Sequence, residues 1–341
     1  MKNGSIYDKA KANNNLVFAS IELLTKCNWR CKHCYLPSHD HDGLPKEKVF
    51  DVLKQLRALG CFELEFTGGE IFYREDAIEI LKKARELGFN VVLLSNISML
   101  NEYKIKELAS MYISRIECTV FSLNEEVHDS ITGVKGSLKK CMENAILLKK
   151  YNIKLKIKTV LMKENMDSYM DLKEFCDSND FGYLATTNIY RKTNGDTTPQ
   201  ELSVPLEKGP LIISEIDEIR EFTPKVIDKD THICNSLRYS LMIDTHGIVY
   251  PCTMLRIDLG NVYEDTLSDI WYNSKELIEL KRKRWSDLHG CLECDKKELC
   301  YRCAGVAFLE TGDYLGKCPS ECINASIRYS QLCNENESSL V

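Results

Sequence analysis

The chain has 341 residues, 44% of them hydrophobic and 28% charged, with a net charge of −6 at neutral pH. That length accommodates one large α/β domain and a smaller one, and the acidic balance argues against non-specific nucleic-acid binding, which needs a basic surface. The N-terminal residues lack the apolar core of a signal peptide and no apolar run is long enough to span a bilayer, which points to a cytoplasmic protein with neither nucleic acid nor membrane among its partners.

Residues 1–16 are polar, rich in Asn and Lys, and are expected to form a flexible arm. A strand is expected over 17–24, running into Cys27-Asn28-Trp29-Arg30-Cys31-Lys32-His33-Cys34. From Pro45 the apolar residues Val49, Val52, Leu53 and Leu56 recur with a helical period until Gly60 stops the pattern. Strand 62–67 leads to Gly68-Gly69-Glu70, helix 75–87 follows, and strand 90–95 leads to Ser95-Asn96-Ile97-Ser98. Helices over 101–111, 137–151 and 166–178 then alternate with strands over 115–121, 154–162 and 183–190. Short strands alternating with helices describe βαβ units on a parallel sheet. About six units, where a complete barrel has eight, predict an α/β fold with a partial (β/α)6 TIM-like barrel over 17–222.

A smaller cysteine-rich domain is expected over 223–333. It opens with a hairpin, 239–243 and 248–252, turning at His246-Gly247. A helical pair lies near 267–284, and the stretch 291–322 holds too few apolar residues for a core of its own, so it is expected to fold around metal. Residues 334–341 are expected to be a disordered tail.

Chemistry in such a barrel belongs at the C-terminal ends of the strands. Cys27, Cys31 and Cys34 follow the first strand, Gly68-Gly69-Glu70 the second and Ser95-Asn96 the third, so three candidates share one rim. Thiolates select zinc, cuprous copper or iron–sulfur clusters, and three ligands leave a coordination position open for chemistry. The chain carries 16 cysteines and no signal peptide, which favours metal ligation over a disulfide framework. Cys61, Cys118, Cys141, Cys176 and Cys333 lie apart from the two cysteine-dense regions and are read as structural. A zinc site completed by His33 or a distant residue is the alternative for the first loop.

Cys27-x3-Cys31-x2-Cys34 after one strand, with Gly68-Gly69-Glu70 after the next, resembles the radical SAM family. The resemblance implies that the three cysteines hold three irons of a [4Fe-4S] cluster. The amino and carboxylate groups of S-adenosylmethionine then chelate the fourth iron, and reduction yields a 5′-deoxyadenosyl radical. It further implies that Gly68 and Gly69 let the backbone approach the cosubstrate and that Glu70 accepts from its ammonium. Ser95 and Asn96 match the family's Thr-Asn-Gly segment, with Ile97 in place of the glycine. Thr119 stands where relatives use a serine near the ribose, and His33 replaces the aromatic residue packed near adenine. Relatives often carry an arginine in the segment that here reads His128-Asp129-Ser130-Ile131-Thr132-Gly133, where Thr132 stands instead, so Arg191 is expected to hold the cosubstrate carboxylate.

Cys234, Cys252, Cys291, Cys294, Cys300, Cys303, Cys318 and Cys322 resemble the SPASM domain of the same family, which implies two auxiliary [4Fe-4S] clusters. Cys291, Cys294, Cys300 and Cys322 are assigned to the distal cluster, and Cys234, Cys252, Cys303 and Cys318 to the proximal one. A zinc ribbon of Cys291, Cys294, Cys300 and Cys303 is the alternative, although its middle gap is short for a pattern that spans about fifteen to twenty residues. The segment from Phe121 to Ser137 is similar to maturases of ribosomally made peptides. The expected activity is therefore hydrogen abstraction from a precursor peptide or protein, giving a cross-link, an oxidation or an epimerisation. A flavodoxin- or ferredoxin-type reductant is expected as a partner. Fusion maturases carry a leader-binding domain before the barrel; only some sixteen residues precede the first strand here, so a separate leader-peptide-binding protein or direct recognition is expected. The alternatives are a radical dehydrogenase or decarboxylase of a small molecule, and a non-catalytic zinc or iron–sulfur electron-transfer module.

Overall fold

The computed structural model describes residues 5–338, with side chains described through Cys333. Helix α1 (Ile6–Asn13) occupies half of the segment expected to be a flexible arm. Ser5 and Asp8 close a capping box at its start, and the Tyr7 hydroxyl donates to Glu63 at 3.0 Å, so side-chain bonds order a stretch whose composition reads as loose.

The barrel follows as β1 (Phe18–Glu22), α2 (Lys46–Ala58), β2 (Glu63–Thr67), α3 (Ala77–Glu86), β3 (Asn90–Leu94), α4 (Glu102–Ser110) and β4 (Arg115–Thr119). It continues with α5 (Glu125–Thr132), α6 (Ser137–Lys150), β5 (Leu155–Val160), α7 (Tyr169–Asn179) and β6 (Gly182–Thr186). Each strand from β1 to β6 pairs in parallel with the next. The helices bury one stripe each, as α2 does with Val49, Val52, Leu53 and Leu56. Helix α5, which the periodicity does not announce, is started by the Asn124 side chain accepting from the Glu126 and Val127 amides.

The C-terminal part contains α8 (Gly209–Ile219), β7 (Ser240–Ile243), β8 (Val249–Tyr250), α9 (Leu267–Asn273), α10 (Lys275–Arg282), α11 (Ala304–Thr311) and α12 (Pro319–Ser338). The expected hairpin forms, yet it does not stay in a separate unit. Strand β7 pairs in parallel with β1, Phe18 opposite Ser240, and extends the sheet to eight strands in the order β6-β5-β4-β3-β2-β1-β7-β8. All four residues of β7 are buried, as suits an interior strand, and β1 is thereby not left as an edge.

A small core in the C-terminal part is built almost wholly from residues before 291. Leu237, Leu255, Leu280, Trp285 and Leu288 pack together, with Cys234, Cys252 and Cys291 against them. A two-pronged ion pair from Arg328 to Asp217, at 2.6 and 3.0 Å, binds α12 to α8. Helix α12 runs into the segment expected to be a disordered tail; residues 339–341 lie outside the described part. Among the described residues no helix is long and apolar enough to cross a membrane.

Candidate metal centres and cosubstrate site

The loop carrying Cys27, Cys31 and Cys34 leaves the C-terminal end of β1 and is pinned from three sides. The Gly69 and Glu70 amides donate to the Leu24 and Lys26 carbonyls, each at 2.9 Å. The Arg30 and Lys32 amides donate to Thr132 and Ile131 at the end of α5, at 2.9 and 3.0 Å. The Lys32 ammonium lies 2.8 Å from Glu164. The segment around Thr132 thus positions the cysteine loop through its backbone.

Gly68 and Gly69 serve that same packing. A Cβ on Gly68 would come within 2.3 Å of the Leu24 carbonyl oxygen, and one on Gly69 within 2.3 Å of the Lys26 oxygen. Gly68 also has a φ of +139°, which side chains rarely adopt. In this structure the close backbone approach expected toward the cosubstrate is made toward the cysteine loop.

Glu70 is fully buried. Its carboxylate accepts from the Phe72 amide at 3.0 Å, the Ser95 hydroxyl at 2.8 and 3.0 Å, and the Asn96 amide at 2.7 Å. A carboxylate offers about four lone-pair sites, and these three donors leave one of them open. Burial raises the Glu70 pKa, and these hydrogen bonds oppose the rise. Glu70 therefore ties the loop after β2 to the loop after β3. Beyond it, Asn96 donates from Nδ2 to the Asn28 side chain at 2.9 Å and lies 3.9 Å from the Cys27 sulfur. Ile97 has a left-handed backbone, at φ 54°, although it is β-branched and fully buried.

The remaining expected contacts lie around the same rim. His33 packs edge-on against Phe121 with ring centroids 5.0 Å apart; its Nδ1 is buried without a partner among the described residues, and burial pushes its pKa down to about 4. Thr119 ends β4, half-buried. Arg191 donates from Nη2 to the Glu310 carbonyl at 3.2 Å, while its Nε is buried without a partner among the described residues.

Sequence reasoning missed the charged lining of the barrel. Glu22, at the end of β1, accepts from the Tyr35 hydroxyl at 2.9 Å and pairs with Arg256 of the C-terminal part at 2.7 Å. Glu117 pairs with Arg115 and Lys158, and Glu65 accepts from Ser20 at 3.0 Å. The available signal was alternation, because Ser20 and Glu22, then Glu63 and Glu65, occupy every second position of otherwise apolar strands. Tyr35, Glu65, Lys158 and Arg191 line a cavity of about 340 Å³ that Thr253, Met254 and Leu309 close from the C-terminal part.

The donor set of the first loop fits an iron–sulfur cluster with one open iron: three thiols on one pinned loop, beside a neutral histidine. Burial pushes the Cys27 thiol up to about 11 and raises Cys31 and Cys34 too, so loading iron on these sulfurs releases protons. In the C-terminal part Cys291, Cys294, Cys300, Cys318 and Cys322 line a cavity of about 440 Å³. Cys252 lies near Cys234 and Cys303, which add to the burial that pushes its thiol up to about 12. Cys318 packs with Cys303 in a separate small cluster that includes Val306 and Ala307. Cys318 thus touches both groups of thiols, lining the cavity of Cys291, Cys294, Cys300 and Cys322 and packing with Cys303.

A family profile described as the radical SAM superfamily matches residues 21–176, and one described as an iron-sulfur cluster-binding domain, SPASM, matches residues 234–304. This chain is a radical SAM enzyme with a SPASM domain. Its cofactors are accordingly a [4Fe-4S] cluster that binds S-adenosylmethionine and auxiliary iron–sulfur clusters. An AdoMet-dependent heme synthase from Methanosarcina barkeri is 23% identical over 333 aligned residues, covering 87% of this chain and 94% of the relative. Among solved structures, Streptococcus suis SuiB bound to S-adenosylmethionine has a TM-score of 0.71 at 17% identity, over 91% of this chain and 78% of SuiB. The anSMEcpe enzyme bound to AdoMet and the Cp18Cys peptide has a TM-score of 0.67 at 17% identity, over 95% of this chain and 99% of that enzyme.

Proposed function

We propose that this radical SAM enzyme modifies a peptide or protein, by taking a hydrogen atom from a carbon held in the cavity between the barrel rim and the SPASM domain. The observation that carries the reading is that cavity. At about 340 Å³ it lies toward the small end of ligand pockets, roughly 300–1,000 Å³, and suits one or two residues of a longer chain. SuiB has been solved with its precursor peptide SuiA, and anSMEcpe with a peptide, which supports the same substrate class.

When bound and reduced, the cluster on Cys27, Cys31 and Cys34 supplies the electron that cleaves S-adenosylmethionine to the 5′-deoxyadenosyl radical. This chain's own residues bind and orient. Arg191, with its unpartnered Nε, is the group assigned to the cosubstrate carboxylate. His33 is assigned to the adenine and Thr119 to the ribose. Glu70 works indirectly by holding Ser95 and Asn96. Glu22, Tyr35 and Arg256 brace the cysteine loop against the SPASM domain and set one wall of the substrate cavity. A flavodoxin- or ferredoxin-type donor is assigned to the electron supply, and leader recognition to a separate protein or to direct contact.

The heme-synthase relative favours a second reading, a small-molecule substrate, because its match spans most of both chains. The test offers the reduced enzyme a deuterated peptide library and, separately, a tetrapyrrole. Deuterium in the recovered 5′-deoxyadenosine from the peptide alone supports the proposal. Turnover of the tetrapyrrole alone would replace it with the second reading.

A further inference from the structure

Arg302 lies between Cys300 and Cys303, the residues assigned to the distal and proximal auxiliary clusters, and is only 8% exposed. Its guanidinium has five N–H donors. Nη2 uses its two on the Tyr314 and Gly316 carbonyls, at 2.6 and 2.8 Å, which fixes the plane of the group. Nε and Nη1 are buried and have no partner among the described residues. No carboxylate pairs with this arginine among those residues, so it is a buried cation with three idle donors.

Such a group is costly unless an anion meets it. Arg302 lines the cavity of about 440 Å³ together with Cys291, Cys294, Cys300, Cys318 and Cys322. A cubane held by four thiolates is an anion in both redox states and gains one further negative charge on reduction. A fixed cation that donates to its sulfurs stabilises the reduced form more, and hydrogen bonds to the sulfurs are among the factors that set cluster potentials. Lysine would bring the charge without the planar fork.

We propose that Arg302 is a positioning residue for the distal auxiliary cluster, donating from Nε and Nη1 to its sulfurs and holding its reduction potential up. The inference rests on the assignment of Cys291, Cys294, Cys300 and Cys322 to that cluster and not on the identity of the substrate.

The test is a redox titration of the anaerobically reconstituted full-length enzyme followed by electron paramagnetic resonance. The distal couple is identified as the one missing from Cys294→Ala; if that variant loses no auxiliary couple, the ligand assignment has failed and the proposal falls with it. In Arg302→Gln, with iron and sulfide still at the wild-type level, the distal couple is expected to become at least tenfold harder to reduce, which is 59 mV for one electron. The S-adenosylmethionine-binding cluster is expected to keep its potential. Arg302→Lys is expected to shift the distal couple in the same direction by less. An unchanged distal potential in Arg302→Gln would show that the arginine only braces the loop, and would overturn the proposal. Should Arg302→Gln fail to assemble the distal cluster, Arg302→Lys decides in its place: a lowered potential supports the proposal and an unchanged one overturns it.

Discussion

Glu70→Gln separates two ways in which a carboxylate can serve a cosubstrate. In this structure three donors, the Phe72 amide, the Ser95 hydroxyl and the Asn96 amide, converge on Glu70 inside the protein. A glutamine keeps the shape but has one acceptor oxygen, so its NH2 must face either the Phe72 or the Asn96 amide. A buried N–H left without an acceptor costs about 1–3 kcal/mol, and loss of the charge weakens the remaining bonds by roughly 1 kcal/mol each. The substitution should therefore destabilise the protein by about 3–5 kcal/mol, a large part of a native stability of about 5–15 kcal/mol. Urea unfolding of the iron-free protein, followed by circular dichroism, measures this without the complication of bound clusters. Isothermal titration of S-adenosylmethionine into the loaded enzyme then measures cosubstrate affinity. A stability within about 0.5 kcal/mol of wild type, with affinity lost, would refute the reasoning and put the carboxylate in direct contact with the cosubstrate.

Three further outcomes are expected. Gly69→Ala sets a Cβ 2.3 Å from the Lys26 oxygen and 2.4 Å from the Thr25 oxygen, so the cysteine loop must shift; iron analysis should show a loss of about four irons per chain with the auxiliary clusters retained. Ile97→Gly relieves left-handed strain of about 1–2 kcal/mol but empties a fully buried site at a cost of about 2–5 kcal/mol, so urea unfolding should show a net loss of stability. Removing iron with a chelator under reducing conditions should raise amide exchange over residues 291–322 while the strands β1 to β6 stay protected, because the small core around Leu237 and Trp285 leans on metal far more than the barrel core does.

The change of period along the sequence carried the barrel, because each helix buries one stripe while the short strands between them run apolar, as β3 does, or alternate apolar with polar, as β1, β2, β4 and β5 do. Spacing carried the cysteines, since a loop of eight residues can bring three thiols to one centre without help from elsewhere. Helix α1 was hidden because its order comes from a capping box and a tyrosine–glutamate bond, not from an apolar stripe. The insertion of β7 beside β1 was hidden because a four-residue run does not name its partner. The packing of the Gly-Gly-Glu turn against the cysteine loop was hidden for a related reason: such a turn indicates close approach, but its neighbour is decided by contacts between residues 24–26 and 68–70. The Glu22–Arg256 pair joins residues from opposite ends of the chain, and no local pattern announces it.

The most direct test of the account compares wild type with a variant in which Cys27, Cys31 and Cys34 are all replaced by alanine. Both are reconstituted with iron and sulfide, reduced in the presence of S-adenosylmethionine, and assayed for 5′-deoxyadenosine by mass spectrometry. Wild type should release it; the variant should retain its auxiliary-cluster iron and release none. Release of 5′-deoxyadenosine by the variant would contradict the placement of the radical-generating centre on the loop after β1.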